Sequence, residues 1–156
     1  MTSPLRDSRN DPINYALKLL SLRGRSVREL SFRLKRKGFS EEEIERTIEY
    51  LTERGFLDDR SLAEELLSYC QEVKHLGPRG VKEFLKKRGI EQPLIEELTC
   101  SLEDDQERAF KLAERFYKLN RDKPDDNIKR RLYGYLYRRG YSYDTIREVL
   151  KRLYLL

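Results

Sequence analysis

Residues 34–39 have the sequence LKRKGF, and the chain repeats this pattern twice. The pattern returns as LKKRGI at residues 85–90 and as LYRRGY at residues 136–141, so that Gly38, Gly89 and Gly140 lie 51 residues apart. A fixed period of this length is typical of arrays in which one supersecondary unit is copied and stacked. We therefore expect three tandem repeats in this chain.

The residues around each glycine predict short helices. Apolar residues keep the same register in every copy: Leu30, Val81 and Leu132 precede the motif, and Ile44, Ile95 and Ile146 follow it. Ser26 and Glu29 have the spacing of a capping box, and Gly38 has the position of a left-handed helix terminator. No window alternates with the period of a strand. The sequence predicts an all-α fold of three tandem three-helix repeats, whose helices are joined by tight turns as in helix-turn-helix units.

The predicted repeats divide the 156 residues into four parts. Residues 1–11 are expected to form a disordered tail, and repeats 1, 2 and 3 are expected at residues 12–57, 58–104 and 105–156. The expected helix caps are Asp11-Pro12, Asp58-Asp59, and Asp125 or Asp126. A longer link precedes the second helix in repeats 2 and 3, and we expect this joint to tolerate sequence variation.

The chain is rich in charge, with 39% charged residues and a formal net charge of +5. An ordinary globular protein has about 25% charged residues. The surplus suits two explanations, thin units with a large surface or a heat-adapted source, and the sequence leaves both open. The basic balance favours an acidic partner, which can be a nucleic acid or an acidic protein surface.

Cysteine usage and hydropathy predict a cytoplasmic protein with no membrane contact. Cys70 and Cys100 lack the spacing of a metal site and fall on apolar positions of helical patterns. We interpret both as buried free thiols in a reducing compartment. No apolar run approaches the roughly 18 residues of a membrane span, and the polar N-terminus lacks the apolar core of a signal peptide.

No group of residues predicts catalysis. His75 is the only histidine, and it has no nucleophile near it in sequence. Residues 77–80 (GPRG) lack the pattern of a phosphate-binding loop, and helix capping accounts for the paired carboxylates of Asp58 and Asp59. We therefore expect a non-enzymatic protein with no catalytic residue, cofactor, metal ion or small-molecule substrate.

Basic residues are concentrated in the second helix of each repeat and in the segment that leads into it. Residues 23–37, 79–88 and 129–139 carry about half of the 33 lysines and arginines, whereas the third helices of repeats 1 and 2 are rich in glutamate. Repeated basic stripes of this kind predict a partner-binding surface. The candidate contact residues are Arg23, Arg25, Arg28, Lys35, Arg36, Lys37, Arg79, Lys82, Lys86, Lys87, Arg88, Lys129, Arg130, Arg131, Arg138 and Arg139.

Helix capping is the competing explanation for these bases. Lysines and arginines in a last turn bind free carbonyl groups and suit the helix dipole, which accounts equally well for Lys35, Arg36 and Lys37. Capping does not account for the bases at 23–28 and 129–131, which lie near helix starts where the dipole disfavours positive charge. Those residues favour the interpretation as a binding surface.

Tyrosines are interleaved with the bases of repeat 3, at positions 133, 135, 137, 141 and 143. Aromatic and basic residues in alternation can stack on and neutralise single-stranded nucleic acid. Tyr133 and Tyr137 also flank the expected core face of their helix. Partial burial of these rings is therefore the favoured interpretation over base stacking.

These motifs resemble the RecX family, bacterial regulators of the RecA recombinase. The resemblance is carried by residues 23–26 (RGRS), the LKRKGF motif, residues 55–59 (GFLDD) followed by Ala63, and residues 88–90 (RGI), and it covers nearly the whole chain. It implies an elongated, curved array of three-helix units that lies in the groove of the recombinase–DNA filament. It also implies inhibition of recombinase ATP hydrolysis, strand exchange and coprotease activity, and thereby modulation of DNA repair, recombination and the SOS response.

The RecA filament on DNA is therefore the expected partner, with a weak direct contact to DNA as an addition. Two other functions stay open. The basic, helix-turn-helix-like repeats could bind single- or double-stranded DNA directly, although the acidic third helices would repel it and no base-recognition pattern is evident. A plain scaffold module would bind its partner without any effect on DNA-dependent hydrolysis.

Overall fold

The computed structural model describes residues 11–103, 105–122 and 127–153, and over these ranges the chain is helical with no strand. The helices are α1 Pro12–Leu22, α2 Val27–Lys37, α3 Glu41–Glu53, α4 Asp59–Glu72, α5 Pro78–Lys87, α6 Gln92–Thr99, α7 Gln106–Asn120, α8 Ile128–Arg138 and α9 Tyr143–Arg152. They follow one another in threes, which confirms the predicted all-α fold of three-helix repeats.

Short polar side chains determine where the helices of repeat 1 begin. Asp11 accepts a hydrogen bond from the Ile13 amide at 3.0 Å, and Pro12 occupies the first helical position. Ser26 and Glu29 form a complete capping box at the start of α2, because each side chain accepts from the other's backbone amide at 3.1 Å. These bonds satisfy amides that have no partner within the helix. The predicted starts of α1 and α2 are confirmed.

The three motif glycines share one backbone conformation at the ends of the second helices. Gly38, Gly89 and Gly140 have φ angles of 104°, 81° and 92°, all in the left-handed region. Residues with a Cβ atom rarely adopt this conformation, so a glycine suits the position. The role predicted for Gly38 is confirmed, and the other two glycines have it as well.

The described residues form two compact units, and the division runs through the middle repeat. The first unit contains the described residues up to Glu64 together with Lys87–Glu91. The second contains Glu65–Lys86 and the described residues from Gln92 onward. Both α4 and α5 are therefore shared between units. The repeat boundaries that we predicted after residues 57 and 104 stay a prediction.

Each unit has a core that uses the positions of the 51-residue register. One core cluster of the first unit contains the buried residues Ala16, Leu19, Leu30, Leu34, Ile44, Leu51 and Leu57. One core cluster of the second unit contains Ala109, Leu112, Ala113, Leu132, Leu136, Tyr141, Ile146, Val149 and Leu150. Burying one aliphatic side chain of this size contributes about 1.5–3 kcal/mol. Because the same register positions are buried in each repeat, the same face of each second helix is exposed to solvent.

The two cysteines differ in exposure, which corrects one prediction. Both are free thiols, and Cys70 is buried as expected, but Cys100 is exposed. The reason is that α6 ends at Thr99, so Cys100 lies beyond the helical pattern that would have buried it. Its sulfur instead bonds to the Glu97 carbonyl oxygen, 3.2 Å away.

The paired carboxylates before α4 have separate partners. Asp58 accepts from the Ser61 amide at 3.2 Å and so caps α4, as predicted. Asp59 accepts from the Val27 amide at 2.9 Å, at the first residue of α2, which the sequence did not predict. The expected caps at residues 125 and 126 lie outside the described residues.

Candidate partner-binding surface

The last turns of the second helices carry exposed cations. Leu34, Leu85 and Leu136 have no exposed surface, so each helix end is anchored in a core. The bases that follow these leucines are open to solvent. We refer to them as the helix-end cations: Lys35, Arg36 and Lys37 of α2, Lys86 and Lys87 of α5, and Arg138 of α8.

Four further bases of the predicted set are exposed at other positions of the second helices. They are Arg28 of α2, Lys82 of α5, and Lys129 and Arg130 of α8. No hydrogen bond or ion pair joins them to another residue in the part of the chain that the structure describes. Their charges are therefore available to a partner.

The arginines that lead into α2 have partners within the fold. Arg23 forms an ion pair with Glu29 at 3.0 Å, and Arg25 donates through Nε to the Leu19 carbonyl at 3.3 Å. Burial, followed by the charges of Arg23 and Arg33, holds the pKa of Arg25 below its ordinary value. From their position near a helix start, the sequence predicts partner binding by these residues. In the structure these two arginines join the end of α1 to the start of α2, and their contact with a partner stays a prediction.

Arg88 also binds the start of α2, from the motif of the second repeat. Its Nε lies 3.3 Å from the Glu29 carboxylate, and a terminal nitrogen donates to the Gly24 carbonyl at 2.9 Å. The next residue, Gly89, lies so close to Ser26 that an added Cβ would fall 2.5 Å from the Ser26 hydroxyl oxygen. Arg88 and Glu29 side chains are 18% and 17% exposed, so their ion pair is a packing contact of the first unit.

The same relationship recurs one period later, within the second unit. Arg139 donates to the Lys74 carbonyl at 2.6 Å, and its own carbonyl accepts from the Gly77 amide at 2.8 Å. Gly140 lies against Gly77, which occupies the register position of Ser26. In both arrangements an Arg-Gly pair packs against the start of the preceding second helix. We call this arrangement the repeat contact.

The link that precedes α5 is a tightly packed segment of the second unit. A Cβ atom on Gly77 would lie 2.6 Å from the Gly140 carbonyl oxygen, and Gly80 lies against the Arg139 carbonyl. The buried Tyr141 donates its hydroxyl to the His75 carbonyl at 2.8 Å. Our expectation that this joint tolerates variation is wrong for Gly77 and Gly80, because two backbone segments touch there without room for a side chain.

Two other predicted contact residues are engaged inside the second unit. The guanidinium of Arg79 donates to the Tyr137 carbonyl and lies 4.1 Å from the centre of that ring. Arg131 donates to the Asn120 side chain at 3.2 Å. The positions of both groups are set by contacts within the fold.

Two basic residues of α9 lie outside the set of contact residues that the sequence predicted. Arg147 and Lys151 line a cleft of about 560 Å³ with Lys129 and Tyr143. The sequence drew attention to the second helices, because the third helices of repeats 1 and 2 are acidic. A signal was nevertheless present for Arg147, which stands where the third helices of repeats 1 and 2 carry Glu45 and Glu96.

The exposed charge determines what this surface can bind. Ammonium and guanidinium groups pair with carboxylates or with phosphates, whichever a partner presents. Within residues 11–103, 105–122 and 127–153, no three His, Cys, Asp or Glu side chains meet as they would around a metal ion. None of the helices in the same ranges is both long and apolar enough to cross a membrane.

Two family models match parts of this chain. The model for the first three-helix domain of RecX matches residues 13–51, and the model for the third three-helix domain of RecX matches residues 103–150. The first range falls on α1–α3 and the second on α7–α9. The two matches together cover more than half of the sequence.

Relatives that match this chain over nearly its whole length are also named RecX. The chain is 37% identical to the regulatory protein RecX of Thermotoga maritima, over 91% of this chain and 84% of that protein. It is 30% identical to the regulatory protein RecX of Chlorobium limicola, over 94% of this chain and 92% of that protein. The crystal structure of RecX from Lactobacillus salivarius is similar with a TM-score of 0.76 at 25% identity, over 97% of this chain and 100% of that chain.

Proposed function

The chain belongs to the RecX family of regulatory proteins, and from this premise we propose that it binds and inhibits a RecA-type recombinase filament on DNA. Inhibition extends to ATP hydrolysis, strand exchange and coprotease activity, and so modulates DNA repair and the SOS response. The protein acts in the cytoplasm by binding, without a chemical step of its own and without a cofactor.

The repetition of exposed cations carries this proposal. Three of the helix-end cations, Arg36, Lys87 and Arg138, occupy the same register position in α2, α5 and α8. One exposed ion pair contributes only about 0–1 kcal/mol. A filament presents the same groups at regular intervals, and several linked contacts can then bind strongly although each is weak alone.

We divide the sixteen candidate residues by their contacts in the fold. The proposed filament contacts are Arg28, Lys35, Arg36, Lys37, Lys82, Lys86, Lys87, Lys129, Arg130 and Arg138, which are exposed. The remaining six have partners within the fold, and we assign them to packing: Arg23, Arg25, Arg79, Arg88, Arg131 and Arg139. Reversing the charge of a packing arginine would damage the fold and would not report on the partner.

A charge-reversal pair of variants tests the proposal. The contact variant replaces one helix-end cation in each repeat: Arg36→Glu, Lys87→Glu and Arg138→Glu. The control variant makes the same change of net charge at exposed bases of α1, α3 and α7: Lys18→Glu, Arg46→Glu and Lys111→Glu. We expect the contact variant to lose inhibition, the control to keep it, and both to retain helical content by circular dichroism.

The assay is ATP hydrolysis by a bacterial recombinase on single-stranded DNA, with this protein titrated below one copy per recombinase monomer. The titration is repeated with excess DNA. Inhibition at low ratio that survives added DNA supports the filament as the target. Inhibition that needs near-saturating protein and disappears with added DNA contradicts the proposal and favours simple competition for the strand.

A further inference from the structure

Three tyrosine rings of the second unit lie side by side at the surface. Tyr133 and Tyr137 stack with ring centres 6.0 Å apart and planes inclined by 12°, and Tyr143 meets Tyr133 edge-on at 6.5 Å. Arg79 covers part of Tyr137. Tyr143, which is 60% exposed, is therefore the ring most accessible to a ligand.

Tyr143 lies between two clefts, and both contain bases. One cleft, of about 560 Å³, is lined by Tyr133, Lys129, Arg147 and Lys151. The other, of about 370 Å³, is lined by Tyr137, Arg79 and Lys82. An exposed aromatic ring thus has positive charge on both sides.

The charges around the ring are only partly neutralised within the fold. Lys82, Lys129 and Arg147 form no ion pair with another residue of the described ranges, whereas Lys151 pairs with Glu148 at 3.3 Å. Asp144, the residue after Tyr143, is an exposed acid at the start of α9. The bases outnumber the acids, and Asp144 is the group that opposes an anionic ligand.

We propose that Tyr143 and its two flanking clefts bind single-stranded nucleic acid directly. A base of an unpaired strand can stack on the exposed ring while the neighbouring phosphates lie against the bases of the clefts. A duplex keeps its bases stacked on one another and cannot use the ring in this way. An acidic protein segment would use the cations but would gain little from an exposed tyrosine.

This site does not depend on the proposed action on a filament. Lys82 and Lys129 belong to both proposed surfaces, but Tyr143, Arg147 and Lys151 belong only to this one. The test therefore contains no recombinase. Failure of one proposal then leaves the other to be judged on its own measurement.

The experiment is fluorescence anisotropy with a labelled oligothymidylate of about 12 nucleotides, within the range of single-strand site sizes. We expect Tyr143→Leu to weaken binding about tenfold, because one base no longer has a ring to stack on, and Tyr143→Phe to bind like the unmodified protein. Tyr69→Leu is the matched control. Tyr69 is also exposed and also has a lysine, Lys74, near its ring, but it lines neither cleft.

Two further variants test the charges. Replacing Lys129 and Arg147 by alanine should weaken binding and make its salt dependence shallower, by about 0.7 in the log–log slope for each phosphate that the variant no longer neutralises. Asp144→Asn should strengthen binding, since it removes the opposing charge. Circular dichroism of each variant checks that the helices are intact.

Three results would overturn the inference. The first is an unmodified protein that does not bind the oligothymidylate at low salt. The second is a Tyr143→Leu variant that binds as tightly as the unmodified protein. The third is equally tight binding of a duplex of the same length, together with no effect of Tyr143→Leu on the binding of that duplex. This result would mean that the protein contacts phosphates only.

Discussion

At the scale of single residues, the motif glycine serves two purposes. Gly38, Gly89 and Gly140 all need the left-handed conformation. A Cβ atom on Gly38 would meet no described residue within 4 Å, whereas one on Gly140 would lie 2.6 Å from the Gly80 Cα. The first glycine is needed for its backbone angle, and the last is needed also for the close approach of two segments.

Alanine at these two positions should therefore have unequal effects. Gly38→Ala should cost about 1–2 kcal/mol of unfolding free energy, the usual penalty for a side chain in the left-handed region. Gly140→Ala should cost clearly more, because its Cβ would also push Gly80 away. Urea denaturation of both variants measures the difference, and equal costs would show that the repeat contact adjusts freely.

The two thiols should differ in reactivity. Burial raises the pKa of the Cys70 thiol to about 11, so it remains protonated at pH 8, while Cys100 is exposed. The thiolate is the reactive form. An aromatic disulfide reagent at pH 8 should modify one thiol quickly and the second only in denaturant, and Cys100→Ser should remove the fast phase. Rapid modification of both thiols in the native protein would contradict the burial of Cys70.

At the scale of helices, one carboxylate holds several elements together. Glu29 accepts from the Ser26 amide at the start of α2 and also pairs with Arg23 and with Arg88 from the next repeat. The Glu29 side chain is only 17% exposed, so its polar contacts are mainly with these partners. The start of α2 therefore connects several segments of the first unit and is not only a helix cap.

Arg88→Met should destabilise the protein by about 1–3 kcal/mol, because a mostly buried carboxylate loses a charged partner. Methionine keeps most of the apolar stem. Adding Glu29→Gln to this variant should recover part of the loss, which a double-mutant cycle in urea would measure. Lys87→Met, at an exposed neighbour, is the control and should change stability by less than about 0.5 kcal/mol. If Arg88→Met lowers the free energy of unfolding no more than Lys87→Met does, the ion pair contributes nothing to stability.

Asp59 makes stability depend on pH. Burial raises its pKa above the ordinary value, the Val27 amide opposes this shift, and the charge of Glu91 adds to it. A carboxyl whose pKa is raised on folding contributes stability that is present below its unfolded pKa and is lost as pH rises through the folded pKa. The ionised form therefore weakens the fold at neutral pH.

Asp59→Asn keeps an oxygen for the Val27 amide and removes that charge. We expect a melting temperature at pH 7 equal to or above that of the unmodified protein, and an advantage that disappears near pH 3. Melting curves across this range measure it. If the unmodified protein melts at a higher temperature than Asp59→Asn at pH 7, the Asp59 charge favours folding.

Helix ends and core positions were predictable because they depend on residues within about one turn. Ser26 and Gly38 mark the ends of α2 by their own chemistry, and the spacing of Leu30 and Leu34 marks its buried face. Partners across repeats were not predictable in this way. Arg88 and Glu29 are separated by 59 residues, and no local pattern says which base of a basic stretch will turn inward.

At the scale of the whole molecule, the two compact units have separate cores. We expect Leu34→Ala and Leu136→Ala each to cost about 2–5 kcal/mol in the core that contains them. Hydrogen exchange should quicken mainly in α1–α3 for the first variant and in α7–α9 for the second, because units of this kind can open separately. A uniform increase across all helices in either variant would mean that the chain unfolds as one cooperative body.

The open surroundings of Gly38 have a consequence for how long such a chain can be. Gly89 and Gly140 each meet the start of an earlier helix, but a Cβ atom on Gly38 would meet no described residue within 4 Å. Lys37 stands where the other copies have arginine. An additional unit ahead of Pro12 could place the start of its second helix against Gly38, as the starts of α2 and α5 lie against Gly89 and Gly140. Duplication of one segment of the gene could therefore lengthen the protein by whole repeats.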